Sequence, residues 1–243
     1  MFMDMSLSCD TIANTQIDTS PLRKSTCYTH EQTTHISDST GAAWLLGREY
    51  YLPQEKPEFI SDVNSLLWFS YRKGFKPIGG SGNLKSDTGW GCCYRCGQML
   101  MGHSLIRNAL GRDWKWRVKD NGVEDMNPHY PVILAEFLDT STACYSIHQL
   151  TSQAVDFGRD LGTWAGPNTV AQALRCRAKS DPLCNIVVHV AMDMLVIRQS
   201  IKKECQMSER RLAEDMPVEV EPLFSPRQFS LSSPMGKLLS HVC

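Results

Sequence analysis

The run Gly89-Trp-Gly-Cys92-Cys-Tyr-Arg-Cys96 places a thiol where a helix should begin. Ser86, Asp87 and Thr88 just before it are N-cap residue types, and the glycines on either side of Trp90 let the chain turn tightly. Cys92, Cys96, Met99, His103, Ile106 and Leu110 then recur at three- and four-residue spacing until Gly111, so the spacing predicts a helix from Cys92 with its apolar stripe on those positions. In the first turn of a helix, unpaired N–H groups and the positive end of the macrodipole favour thiolate over thiol, drawing a cysteine below its ordinary pKa of roughly 8.5. Cys92 is therefore the candidate nucleophile, and small flanking residues would let a substrate backbone approach it. Cys96, one turn along the same stripe, is expected in the core, and Cys93 faces elsewhere without a role.

The elements that must position this thiol emerge from the rest of the chain. Residues 1–40 are dominated by Ser, Thr, Asp and Gln and cannot bury enough apolar surface to offset their ordering, so they read as a disordered tail. A folded domain is expected over 41–205, opening on Ala42-Ala-Trp-Leu-Leu with Trp44 and Leu45 in its core. Ile60 to Arg72 carries Val63, Leu66, Leu67 and Phe69 at near-helical spacing and predicts a short amphipathic helix. The loop from Phe75 to Lys85, with Pro77 and a Gly-Gly-Ser-Gly run, leads to the nucleophile turn.

Tyr130 to Leu138 suits a helix or a buried strand, with Pro131 at a first helical position, and Ser146 to Phe157 suits a helix. Pro167 and Asn168 mark another helix entry, whereas Asn185 to Val190, rich in β-branched residues, predicts a buried strand. Residues 206–243 read as a tail of low order.

Composition excludes several classes. The 243 residues carry a formal net charge of −1 and 42% hydrophobic residues, with no basic footprint for nucleic acid and no run long enough to span a membrane. The N-terminus has no basic region leading an apolar run, so the protein is expected in the cytoplasm, and its ten cysteines are expected to be reduced. Cys93 and Cys96 stand in C-x-x-C order, which admits a zinc half-site or a redox pair, but no second pair follows at zinc spacing.

The same residues resemble a known family. Tyr71-Arg-Lys-Gly-Phe-Lys-Pro-Ile-Gly-Gly, Ser86-Asp-Thr-Gly-Trp-Gly-Cys92, Arg95-Cys-Gly-Gln-Met99 and Gly111-Arg-Asp-Trp-Lys-Trp116 are similar to motifs of the autophagins, the autophagy cysteine peptidases. The likeness continues through Tyr145-Ser-Ile-His-Gln149, the run from Gly162 to Gln172, and Val188-His-Val-Ala-Met-Asp193, covering roughly two thirds of the chain. It implies an α+β, papain-like peptidase with the helical lobe present and the β-lobe incomplete.

It further implies cleavage of ubiquitin-like modifiers of the light-chain-3 and GABARAP type after a C-terminal glycine, and their release from phosphatidylethanolamine, without metal or cofactor. By the resemblance Cys92 is the nucleophile, Tyr71 an oxyanion donor, and Trp164 a wall of the substrate groove. By residue type alone Tyr71 is a half-buried packing residue and Trp164 a core tryptophan.

The family draws its catalytic His and Asp from an Asp-Pro-His tripeptide, which does not occur in these residues. His189 and Asp193 lie on the segment before it, and His189 is expected to be a core histidine. A chain without that tripeptide could also be a form that binds the modifier and does not cut it.

Overall fold

The computed structural model describes residues 3–4, 40–80, 82–116, 127–181 and 184–215. Of the expected N-terminal tail Met3–Asp4 is described, as a two-residue strand, β1, together with Thr40 at its end; the rest of that tail and residues 216–243 lie outside the described residues. The domain begins with a hairpin of β2 (Gly41–Leu45) and β3 (Arg48–Leu52), antiparallel, with Leu45 opposite Arg48. Its connecting residues Leu46 and Gly47 have φ of 50° and 79°, the signs a type I′ turn needs.

Strand alternation decides which aromatics go inward. Tyr50 and Leu52 are buried, while Trp44 is 67% exposed and Tyr51 is 58% exposed on the opposite face. Trp44 is thus a surface residue and not the core residue its apolar surroundings suggested; Leu45 is half-buried.

Helix α1 (Lys56–Asn64) precedes strand β4 (Leu67–Trp68), which pairs in parallel with β1. The helix expected over 60–72 therefore stops at Asn64, because Leu67 and Phe69 are needed on extended backbone, where both are buried against α2 (Cys92–Leu110). Around α2 pack α3 (His129–Ala135), α4 (Ile147–Val155) and α5 (Pro167–Ser180). Pro131 lies at the third position of α3, and Ser146 caps α4 by accepting from the Gln149 N–H at 3.1 Å.

The rings of Phe69, Phe137 and Tyr145 form a continuous stack beneath these helices, with centroids 5.5 and 5.4 Å apart. Close approach of α2 to α5 is made at Gly97, where a Cβ would lie 2.6 Å from Val170 Cγ1. The charged run after α2 ties back to the hairpin and to α1. Arg112 donates to the Leu45 carbonyl at 3.2 Å and joins Lys115 on the buried Asp62, and the Trp116 N–H donates to Ser65.

Beyond α5 the expected strand does not form. Residues 185–190 are half-buried but irregular, since no strand among the described residues lies beside them to complete a ladder. His189, expected in the core, instead reaches α6 (Arg198–Asp215), where its Nδ1 meets Glu204 at 2.9 Å. Glu204 also takes Arg175 at 3.1 Å and Lys179 at 3.9 Å, both from α5. α6 crosses the expected domain boundary at residue 205, and the segment before it exposes Met192, Met194, Leu195, Val196 and Ile197.

Candidate active site

Helix α2 begins at Cys92, as the spacing predicts, with Gly91 at its N-cap and Gly111 past its end. Its buried face, however, is formed by Tyr94, Gln98, Met101 and Leu105, flanked by Arg95, Gly97, Gly102 and Ile106. This face is rotated away from the expected stripe, and the cause is ionic. Arg95 and Gln98 read as surface residues by type, yet both are inside because each of their side-chain polar atoms has a partner. The rotation leaves Cys92 half-buried and Cys96 exposed, so Cys96 is not a core residue.

The partners form one connected network. Arg95 donates from Nε to Asp87 at 2.7 Å and from its two terminal nitrogens to Asp139 at 2.8 and 3.1 Å. Arg72 adds a bond to Asp139 at 2.9 Å, and Gln98 passes from the Arg95 guanidinium to the Tyr145 carbonyl at 2.7 Å. Burial alone would raise the Asp139 carboxyl, but Arg72 and Arg95 outweigh it and hold it below the ordinary carboxylate range. Burial is also what lowers Arg72.

None of Ser86, Asp87 or Thr88 caps α2 with its side chain. Asp87 turns inward to the network and receives the Gly91 N–H on its carbonyl at 2.8 Å.

Tyr71 stands beside the thiol. Its hydroxyl is raised above its ordinary range, first by a hydrogen bond with Cys92 and then by burial, although the residue as a whole is 46% exposed. Cys93 shares a hydrogen bond with Cys92 as well, and burial, the larger cause, pushes its own thiol up. The structure therefore brings together two of the expected residues, Cys92 and Tyr71.

Trp164 is 53% exposed and so is not a core tryptophan. Its ring leans on Gly166, the N-cap of α5, and no contact between it and Cys92 is described. Its loop does meet the loop leading to the nucleophile turn, where Leu161 lies over Gly79 and Leu84 over Gly162.

Among the described residues, three of the four imidazoles have partners away from Cys92. His148 Nε2 meets the Lys76 carbonyl at 2.7 Å, and His189 is on Glu204. His103 Nε2 accepts the Leu67 N–H at 2.8 Å, and burial, the larger cause, together with Arg107 lowers its pKa to about 4. A folded-state pKa below the unfolded value of roughly 6.5 means that protons bind preferentially to the unfolded chain as pH falls.

His103 therefore contributes stability that is complete above pH ~6.5 and lost as pH falls towards 4, up to about 3 kcal/mol for a ring that keeps some solvent contact. A pH series of denaturant melts should show this slope in the native chain and lose it in His103→Gln, whose carbonyl still accepts from Leu67. An unchanged slope in the variant would assign the acid sensitivity to another group.

Among the described residues no cluster of three or more His, Cys, Asp or Glu is gathered as metal ligands. No described helix is long and apolar enough to cross a membrane.

Helices packed around a central one that presents a cysteine at its N-terminus are the arrangement of the helical lobe in papain-like cysteine peptidases, and comparison with known proteins narrows the class. The model of the peptidase C54 catalytic domain matches residues 56–225. The chain belongs to this family, the autophagins, with their α+β papain-like fold.

Among its relatives, the cysteine protease ATG4A of Bos taurus is 43% identical over 182 residues, 75% of this chain and 44% of the relative. ATG4A of Homo sapiens is 44% identical over 170 residues, 70% and 42% of the two chains, and ATG4B of Gallus gallus 46% identical over 163 residues, 67% and 40%. The chain thus spans less than half the length of the curated relatives it matches.

The residues that sequence reasoning missed are Arg72, Asp87 in its true role, Arg95, Gln98 and Asp139. A signal existed for part of the set: Arg95 and Gln98 are three apart on one helix face, in a segment otherwise filled by large apolar and small residues.

Proposed function

We propose that this chain carries the nucleophile lobe of an autophagy cysteine protease, acting in the cytosol on the C-terminus of a ubiquitin-like modifier of the light-chain-3 or GABARAP type. The observation that carries the reading is the half-buried Cys92 thiol at the first position of α2, with the backbone after Tyr71 tied to the turn before it by the Arg72 N–H on Asp87 and the bridge from Lys73 to Ser86. The Cys92 sulfur adds to the carbonyl of the modifier's glycine, and the carbonyl oxygen becomes an oxyanion. Tyr71 and the N–H groups of the first helical turn, which precede the first intrahelical bond from Arg95 to the Gly91 carbonyl, can donate to it.

Collapse expels the amine of the following residue or of phosphatidylethanolamine, which takes up a proton, and leaves a thioester. Water then gives the free carboxylate and returns the thiol. The exposed Trp164 ring, beside a loop that abuts the nucleophile turn, suits a groove that admits glycine and refuses a residue with a side chain.

A modifier bearing an electrophile in place of its last glycine carbonyl tests this without requiring a leaving group to be protonated. The expected product is one covalent adduct on Cys92, absent in Cys92→Ala and slower in Trp164→Ala. An adduct on Cys93 or Cys96, or none on folded protein, would defeat the assignment.

A further inference from the structure

Asp87 is fully buried, and each of its oxygens is engaged. Oδ1 accepts the Arg72 N–H at 2.6 Å, Oδ2 accepts Arg95 Nε at 2.7 Å, and the carbonyl accepts the N–H groups of Trp90 and Gly91 at 3.2 and 2.8 Å. Its own N–H donates to the Arg72 carbonyl at 3.2 Å. One residue thus grips the backbone directly after Tyr71 and the backbone directly before Cys92. Space for the carboxylate is reserved at Gly91, where a Cβ would fall 2.5 Å from Oδ2. An acid present only to neutralise Arg95 has no need of a second arm on the Arg72 N–H, since Asp139 already holds that guanidinium by two bonds.

We propose that Asp87 is a positioning residue for the Cys92 nucleophile: its carboxylate ties the Tyr71–Arg72 backbone to the first turn of α2 and so holds the Tyr71 hydroxyl against the thiol. Ser86 assists by donating from Oγ to the Arg72 carbonyl at 3.1 Å. Its carboxylate meets the buried Arg95 guanidinium at 2.7 Å on one oxygen and the Arg72 N–H at 2.6 Å on the other, and a charged acceptor makes the shorter, stronger bond to a backbone N–H. The inference rests on Cys92 being the nucleophile, but its test needs no modifier.

The experiment is a double-mutant cycle on the rate at which iodoacetamide alkylates Cys92 in the whole folded chain at neutral pH, with the site followed by peptide mass. Tyr71→Phe should slow alkylation about five-fold, a factor within reach of one hydrogen bond to a charged sulfur. Asp87→Asn should slow it by a similar factor when Tyr71 is present and change nothing further in the Tyr71→Phe background. Effects that multiply, or a Tyr71→Phe rate equal to that of the native chain, would overturn the proposal, because a merely structural Asp87 would act whether or not the hydroxyl exists.

If Asp87→Asn yields no folded protein, Ser86→Ala at its partly exposed position is put through the same cycle, with a slowing of about two-fold expected only while Tyr71 is intact. The two readings fail separately: a cycle without coupling leaves the modifier adduct on Cys92 standing, and a missing modifier adduct leaves the cycle standing.

Discussion

Arg95→Met should remove about 3–5 kcal/mol of stability, the range found when one partner is taken from a buried ion pair. Asp87, fully buried, would keep only the Arg72 N–H and its local backbone bonds, and Asp139 would retain Arg72 alone among the two arginines. A domain of this size has about 5–15 kcal/mol in total, so the loss is at least about a fifth of the whole margin. Arg95→Lys should recover little, because a single ammonium cannot reproduce the fork that reaches Asp87, Gln98 and Asp139 together. Denaturant melts of the three chains decide this, and a loss below about 1 kcal/mol in Arg95→Met would show that the network is not what holds the face of α2 inward.

The second large effect concerns turnover. Purified 243-residue protein should process a modifier extended beyond its glycine at least about 10⁴-fold more slowly than a complete catalytic unit, the usual cost of losing one member of such a unit. The reason lies in the described site. Among the described residues Cys92 meets Tyr71 and Cys93, while three of the four imidazoles, those of His103, His148 and His189, are held by Leu67, Lys76 and Glu204 respectively. A phenol and a second thiol can steady a charged sulfur or an oxyanion, but neither takes a proton from the thiol and hands it to a leaving amine near pH 7. Turnover abolished by Cys92→Ala would contradict this expectation and would bring His148, whose Nδ1 is buried without a described partner, forward as the base.

The start and end of α2, the entries to α4 and α5, and the family were legible because each depends on local residue types at fixed offsets. What was not legible depends on partners distant in sequence. Arg95 and Gln98 read as solvent-facing until Asp139 and the Tyr145 carbonyl are placed 44 and 47 residues away, and with them most of the buried face of α2 was misplaced, although Ile106 is buried as expected. Trp44 failed for the opposite reason, since an apolar run does not say which alternate residues face water. The run from 185 to 190 has strand-forming residues, but a strand exists only beside another. Cys92 and Tyr71 were found by resemblance and by helix position; the carboxylate that links them looked like an ordinary cap.

Glu204 has a consequence for how the molecule responds to ionic strength. The side chains of Glu204, Arg175, Lys179 and His189 all retain solvent contact, between 20% and 44% of their surface, so salt can screen the attraction that draws α6 onto α5. At about 1 M salt the screening length shrinks to roughly 3 Å, whereas the Arg95 network, excluded from solvent, keeps its strength. Concentrated salt should therefore undock α6 while the nucleophile turn stays intact. The exposed stretch from Met192 to Ile197 would then become the hinge and, among the described residues, a place where a protease could nick the chain with its nucleophile turn still assembled.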